Sequence, residues 1–207
     1  MKHEWRKHEK AVYLPGTTPQ IIDVPTFNFL TIKGAGNPNT PAFANYIQAL
    51  YATSYAIKMT LKKSGADAQP ADYTVYPLEG VWDVSDAAKK RQAKELNKDD
   101  LVFTLMIRQP DFVSPGYAAA RIADTIAKKS LPLLDKVKFE TLTEGKCVQM
   151  MHIGSFDTEP ESFVKMEDFA TSRGLTRVSK IHREIYISDF RKVVPEKLKT
   201  VLRFQVR

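Results

Sequence analysis

The stretch His182-Arg183-Glu184-Ile185-Tyr186-Ile187-Ser188-Asp189-Phe190 reads as an extended strand. Its period of two puts Ile185 and Ile187 on an apolar face and Glu184, Tyr186 and Ser188 on the other. A carboxylate beside a phenol is unusual there, because surface strands favour Lys or Thr and buried strands carry no charge. The plain alternative is a solvated outer sheet face. The chemical reading is an acid and a hydroxyl aimed at a ligand.

Working outward, Thr200 to Val206 is the next strand, and Cys147 to Ile153 is an earlier one that stops at Gly154. Between them Thr158 or Pro160 opens a helix that runs to Arg173. The order is strand-helix-strand-strand, and the first half of the chain repeats it. Ile21 to Lys33 is a β-branched and aromatic run in which Pro25 confines the early part to an edge or entry position. It stops at Gly34-Ala35-Gly36-Asn37-Pro38, a glycine pair that lacks the third glycine of a dinucleotide fingerprint and reads as a turn. Asn39 or Thr40 with Pro41 then starts a helix to about Lys63, with Phe43, Ile47, Leu50, Ser54, Ile57 and Leu61 on one stripe. Tyr73 to Leu78 and Leu101 to Arg108 are expected strands.

The halves also align, weakly but consistently. FLTIKG at Phe29 to Gly34 resembles VQMMHIG at Val148 to Gly154, and LVFTLMIR at Leu101 to Arg108 resembles TVLRFQVR at Thr200 to Arg207. The expected class is therefore α+β: a duplicated unit with pseudo-twofold symmetry, helices on one face and a central ligand cleft on the other. Residues 1–16 read as a polar lead-in and 17–207 as one domain, with repeat one at about 17–109, an inserted helical segment at about 110–145 and repeat two at about 146–207. Placing Tyr76 opposite Tyr186 aligns Thr74 with Glu184, so only the second repeat carries the acid. On Leu101 to Arg108, Phe103, Leu105 and Ile107 point one way, while Val102, Thr104 and Met106 point to a face that suits a ligand cavity.

Composition narrows the function classes. A chain of 207 residues with 43% hydrophobic content can bury a sizeable core. The net charge of +7 raises anionic partners, yet the basic residues are scattered; Lys89, Lys90, Arg91 and Lys94 form a solvated face, and no reading helix or aromatic RNA-binding strand follows. No specific nucleic-acid binding is expected. The single Cys147 excludes an internal disulfide and four-cysteine zinc sites, and it reads as an inert thiol in a reducing compartment. The charged N-terminus Met1 to His8 is no secretory signal, and no run of eighteen apolar residues exists, so the expected location is cytoplasmic and off the membrane. His152 and His182 lack metal-site spacing, and Ser155, His152 and Asp157 lack a nucleophile elbow. Neither metal nor cofactor is expected.

The run Glu144 to Gly154, the later Asp157-Thr158-Glu159-Pro160, HREIYISDFRK from His182, and Pro195 to Arg203 together resemble the GyrI-like small-molecule-binding proteins. The resemblance extends from about Ala11 to Arg207. It implies the duplicated SHS2 fold, with a drug-sized ligand held between the repeats beside a glutamate, here Glu184, accompanied by Tyr186. Some members of this family carry a winged helix and sense drugs, one branch protects DNA gyrase, and stand-alone members resemble cyclopropanoid cyclopropyl hydrolases. PLEGVW at Pro77 to Trp82 and RQPDF at Arg108 to Phe112 fit the stand-alone branch, and only about twenty residues precede the first strand, too few for a winged helix. The chain departs from the family pattern at Phe190, where proline commonly follows the aspartate, and at Arg183, where a second histidine is frequent.

For a hydrolase of this kind the ligand is a planar aromatic carrying an electrophilic cyclopropane. Glu184 is then the general base for water, and Tyr186 or Tyr55 donates to the developing phenolate. Trp82, Tyr51, Tyr55, Tyr76 and Phe112 stack on the ligand, with Met106 and Thr104 on the cavity-facing side of their strand. The alternative is a non-catalytic protein that sequesters drugs, or a sensor acting through an unknown protein partner, with Glu184 a counter-ion.

Overall fold

A computed structural model describes residues 2–64, 72–91 and 97–207. In chain order the elements are α1 (Trp5–His8), α2 (Lys10–Tyr13), β1 (Gln20–Ala35), α3 (Phe43–Ser64), β2 (Leu78–Val84), α4 (Asp86–Arg91), β3 (Leu101–Gln109), α5 (Pro115–Lys128), β4 (Lys138–Ile153), α6 (Glu159–Ser172), β5 (His182–Tyr186) and β6 (Lys199–Gln205). The class is α+β, and the strand-helix-strand-strand order appears twice, as β1-α3-β2-β3 and as β4-α6-β5-β6. The chain divides into two compact units: Met1–Glu4 with Phe27–Tyr76 and Trp82–Leu142, and Trp5–Thr26 with Pro77–Val81 and Thr143–Arg207.

In the first unit β1 and β3 pair antiparallel, with Leu30 opposite Ile107, Ile32 opposite Leu105 and Gly34 opposite Phe103. The Phe103 ring occupies the space above Gly34, where a Cβ would lie 2.4 Å from it. Its centroid is 5.2 Å from those of Phe43 and Tyr46, both on α3, so the helix covers the face that carries Phe103, Leu105 and Ile107. Deeper in, the buried Gln109 accepts from the Tyr73 hydroxyl at 3.1 Å and donates to Ser54 on α3 at 3.3 Å. Regular helix begins at Phe43 because Thr40 to Phe43 forms a tighter turn, closed by the Phe43 N–H on the Thr40 carbonyl. The expected insert contains α5, capped by Ser114, whose hydroxyl accepts from the Tyr117 N–H at 3.2 Å.

One expected strand moves. Tyr73 to Leu78 is not a strand; β2 begins at Leu78, and Tyr76 lies ahead of it. Pro77 has no N–H to give a ladder, and the segment before it pairs instead with the N-terminus. The His3 N–H donates to the Asp72 carbonyl, the Thr74 N–H donates to His3, and His3 Nε2 lies 3.1 Å from the Tyr76 hydroxyl.

In the second unit β6 is central, flanked antiparallel by β5 and β4, with Leu202 opposite both Glu184 and Met150 and Arg203 opposite both Arg183 and Gln149. Val148, Met150, Leu202 and Phe204 form a core with Met166 and Ala170 of α6, against which Phe163, Phe169 and Leu175 pack. The opposite face of the same strands is buried and ionic. Arg203 donates to Glu144 at 3.0 Å and to Gln149 at 2.8 and 3.0 Å, while Arg183 donates to Glu144 at 3.1 Å and to Glu79 at 2.7 Å.

The N-terminal residues are more than a polar lead-in. Trp5 and Tyr13, on α1 and α2, are buried with their rings 5.3 Å apart. Tyr13 donates to Glu79 at 3.2 Å, and the Ala11 and Val12 carbonyls accept from Gln149 and Arg203 at 2.7 Å. Two aromatics spaced among charged residues give no periodicity, so this anchor has no sequence signature of its own.

Burial pushes the Glu144 carboxyl up, but Arg183 and Arg203 outweigh it and hold the group below its ordinary value of 4.5. The carboxylate therefore stabilises the fold above that pH, and the stabilisation is lost as pH falls through the lowered value. Glu144→Gln leaves two buried guanidinium groups short of a charge, and the expected loss at neutral pH is about 3–5 kcal/mol. Urea denaturation of variant and wild type checks this, with the difference narrowing in acid.

Candidate functional site

β5 alternates as its sequence requires. Arg183 and Ile185 are buried on the ionic side, while His182, Glu184 and Tyr186 turn toward α6. The Tyr186 hydroxyl donates to Glu184 Oε2 at 2.7 Å, and His182 Nε2 lies 3.2 Å from Oε1. The other ring nitrogen of His182 faces the Lys180 carbonyl at 3.2 Å, and Phe163 of α6 stands edge-on to the same ring at 4.8 Å. The side chain of Glu184 retains 12% exposure, so its carboxylate is oriented by neighbours and still reachable by water.

The helix above contributes a second acid. α6 opens at Glu159 followed by Pro160, and the Glu159 side chain is 6% exposed with its Oε1 lacking any hydrogen-bond partner. Burial first, then the Glu184 carboxylate and the hydrogen bond to it, then Asp157, push the Glu159 carboxyl far up. The Glu159 carboxyl thus favours its neutral form. On the solvent side Phe156 stands edge-on to Tyr186 at 6.0 Å and lies 6.5 Å from Phe190, and both phenylalanines are exposed. An oriented carboxylate beside aromatic rings can take a proton from water or hold a cation.

The neighbouring histidine is committed elsewhere. His152 Nε2 faces the Ser155 carbonyl at 3.0 Å, so it carries the hydrogen, and Nδ1 accepts from the buried Ser162 hydroxyl at 2.9 Å. Ser155 thus meets His152 through its carbonyl and not through a nucleophilic hydroxyl. Burial, and then Glu144, push the Cys147 thiol up to about 12, which keeps it protonated and inert.

The other residues singled out in the sequence belong to the first unit. Trp82 is buried, 5.2 Å from Phe103 and 6.1 Å from Phe43. Tyr51 and Tyr55 lie 6.3 Å apart on α3, with Tyr55 exposed. Tyr76 is buried beneath the Arg108 guanidinium at 4.9 Å, and Phe112 stands edge-on to Tyr73 at 5.9 Å. Met106 is buried, and Thr104 is half-buried on the same side of β3. The geometry therefore joins Glu184 to Tyr186 and Tyr51 to Tyr55. It adds Glu159, His182, Phe156 and Phe190, which the sequence reading did not assign to the site. Glu159 gave no signal because an acid in the first turn of a helix has an ordinary reason to be there.

Residues 17–207 match the GyrI-like small molecule binding domain. No curated protein matches the chain. Among solved structures, an uncharacterized conserved protein from Listeria innocua is 34% identical with a TM-score of 0.87, covering 99% of this chain and 100% of that one. Two hydrolase structures from Listeria innocua are 36% identical, with TM-scores of 0.85 and 0.86, and cover 99% and 100% of this chain and 100% of their own. No helix among the described residues is long and apolar enough to cross a membrane.

The raised Glu159 carboxyl has a measurable consequence for stability. Its value moves from 4.5 to about 10, so at neutral pH the folded chain holds a proton that the unfolded chain has released. The associated stability is complete below the ordinary value and is lost as pH rises toward the folded one. Glu159→Gln keeps a neutral side chain throughout. The expected result in thermal melts is a variant that matches wild type in mild acid and becomes progressively more stable than wild type as pH rises.

Proposed function

The chain belongs to the GyrI-like small-molecule-binding family, and we propose that it is a hydrolase that adds water to planar, electrophilic small molecules, with cyclopropane-bearing aromatics as the substrate class. The observation that carries this reading is Glu184: a carboxylate fixed by the Tyr186 hydroxyl at 2.7 Å, open to water, and beside the exposed rings of Phe156 and Phe190. The likeness to two hydrolases at 36% identity over the whole chain supports it.

In the proposed reaction Glu184 takes a proton from water as the oxygen attacks a cyclopropane carbon. The ring C–C bond breaks, and its electron pair passes into the conjugated dienone, which becomes an aromatic phenolate. A proton returned to that oxygen completes the net addition of one water. General base catalysis of this kind is worth about 10²- to 10⁴-fold. Opening the ring removes the electrophile, so the product no longer alkylates, and the activity is detoxifying. Trp82, Tyr51, Tyr55, Tyr76, Phe112, Met106 and Thr104 remain proposed ligand contacts.

The same geometry favours a second reading. A carboxylate beside Tyr186 and Phe156 is also a counter-ion with aromatic walls, which suits sequestration of planar cations without turnover.

Glu184→Gln separates the two. For a hydrolase, the variant keeps its affinity for a neutral planar ligand within several-fold, because stacking supplies most of the contact, while turnover falls by roughly 10²- to 10⁴-fold. For a sequestering protein, wild type leaves the ligand unchanged and the variant loses affinity for cations alone. Mass spectrometry of a cyclopropane-bearing ligand after incubation, paired with binding titrations, reads both outcomes; an unchanged rate in the variant removes Glu184 from the mechanism.

A further inference from the structure

We propose that Glu159 and Glu184 work as a one-proton carboxyl pair, in which Glu159 carries the proton and positions Glu184, leaving Glu184 as the carboxylate that meets water and ligand. The inference rests on Glu184 being the working acid of the site, as proposed above.

The ordinary explanation of Glu159 is an acid at a helix N-terminus. Such acids are stabilised by the partial positive charge of exposed helix ends. Glu159 is instead 6% exposed, and its Oε1 has no hydrogen-bond partner. An ionised carboxylate with an unsatisfied buried oxygen is a costly arrangement, whereas a neutral carboxyl with a bare carbonyl oxygen is a tolerable one. Phe156 and Phe163, on either side of Glu159 in the chain, stand edge-on to Tyr186 and His182, the residues on either side of Glu184, so Glu159 sits over Glu184 and its proton has that carboxylate as its destination.

The surroundings decide which member of the pair keeps the proton. Glu184 accepts the Tyr186 hydroxyl at 2.7 Å and has His182 Nε2 at 3.2 Å, so its carboxyl has fixed polar neighbours on the strand side. Glu159 has no comparable donor on its Oε1, and Asp157 adds negative charge nearby. The titratable groups facing the pair are thus His182 and Tyr186 on β5 and Asp157 in the turn before α6. His152 on β4 stands one step away, its Nε2 3.2 Å from the Thr158 hydroxyl. A donor from Glu159 fixes the Glu184 carboxylate from the helix side while Tyr186 fixes it from the strand side.

For the proposed reaction the pair also settles the proton balance. Water gives one proton to Glu184, so the pair holds two, and one of them passes to the phenolate oxygen that receives the ring's electron pair. The pair ends as it began, and the proton delivered need not be the one abstracted. Glu159 touches neither water nor substrate in this scheme and is a positioning residue.

Infrared titration of the carboxyl C=O stretch tests the pair whether or not the protein turns over substrate. The expected wild-type spectrum keeps a protonated carboxyl at neutral pH that titrates only in alkali. The band is absent in Glu159→Gln, and in Glu184→Gln it titrates at lower pH because the neighbouring charge has gone. A wild type with no protonated carboxyl at neutral pH overturns the proposal, and that measurement needs no variant. A band that survives Glu159→Gln, or that is unmoved by Glu184→Gln, overturns it too.

The pH–rate profile then tests positioning. Glu159→Gln, which keeps a neutral donor, should hold turnover within several-fold at neutral pH and lack the alkaline decline expected of wild type. A loss as deep as that of Glu184→Gln makes Glu159 the base and overturns the assignment, as does a profile identical to wild type. If neither wild type nor variant forms the water adduct, the hydrolase reading falls and the infrared arms alone decide the pair.

Discussion

The ionic face of the second unit fixes what its strands can do. Arg183 and Arg203 are direct partners across β5 and β6, and both turn to the side where Glu144 and Glu79 meet them. A slip of one residue along either strand would send a guanidinium into the core of Val148, Met150, Leu202 and Phe204 beneath α6. Buried ion pairs are weak contributors to net stability, because desolvation offsets most of the Coulomb attraction, but they penalise wrong registers heavily. With the register set in this way, Glu184 and Tyr186 can only face α6.

Two buried carboxyls within this unit then diverge. Burial raises both, since it disfavours the charged form wherever it occurs. Glu144 has two guanidinium groups against it and ends below its ordinary value; Glu159 has Glu184 and Asp157 against it and ends far above. One sheet thus carries an arginine-held carboxylate on one face and, on the other, the carboxyl pair proposed for the site. The arginines that stabilise Glu144 turn away from the face that bears Glu184.

Much of the fold is legible from period and punctuation. Ile21 to Lys33, Leu101 to Arg108 and Thr200 to Val206 alternate or run β-branched, and each is a strand within two residues at either end, while the stretch from His182 to Phe190 is a strand only as far as Tyr186. The helix from Glu159 to Ser172 follows its proline signal. Three features escaped because their causes are not local. Tyr73 to Tyr76 has strand composition but pairs with His3, and the start of β4 at Lys138 is polar enough to read as part of an insert. Trp5 and Tyr13 are buried by contacts made far along the chain. At the site, Glu184 and Tyr186 were visible because period two places them together. Glu159 was hidden because only the packing of α6 over β5 distinguishes it from any other first-turn acid.

Phe156 and Phe190 give the site a division of labour. They are 39% and 44% exposed beside Tyr186, an uneconomical placement for two large apolar rings if nothing ever covers them. A planar ligand covering both would remove on the order of 150 Å² of apolar surface from water, worth about 4 kcal/mol at ~25 cal/mol per Å². That corresponds to roughly a thousandfold in affinity. Stacking of this size holds a neutral ligand without help from the carboxylate. Binding energy gained on the rings is the same before and after the bond changes, so it concentrates substrate without lowering the barrier. In the proposed reaction the interactions left to change are those of Glu184, whose orientation the Tyr186 hydroxyl fixes. An acid that does not have to supply the affinity is free to act as a base.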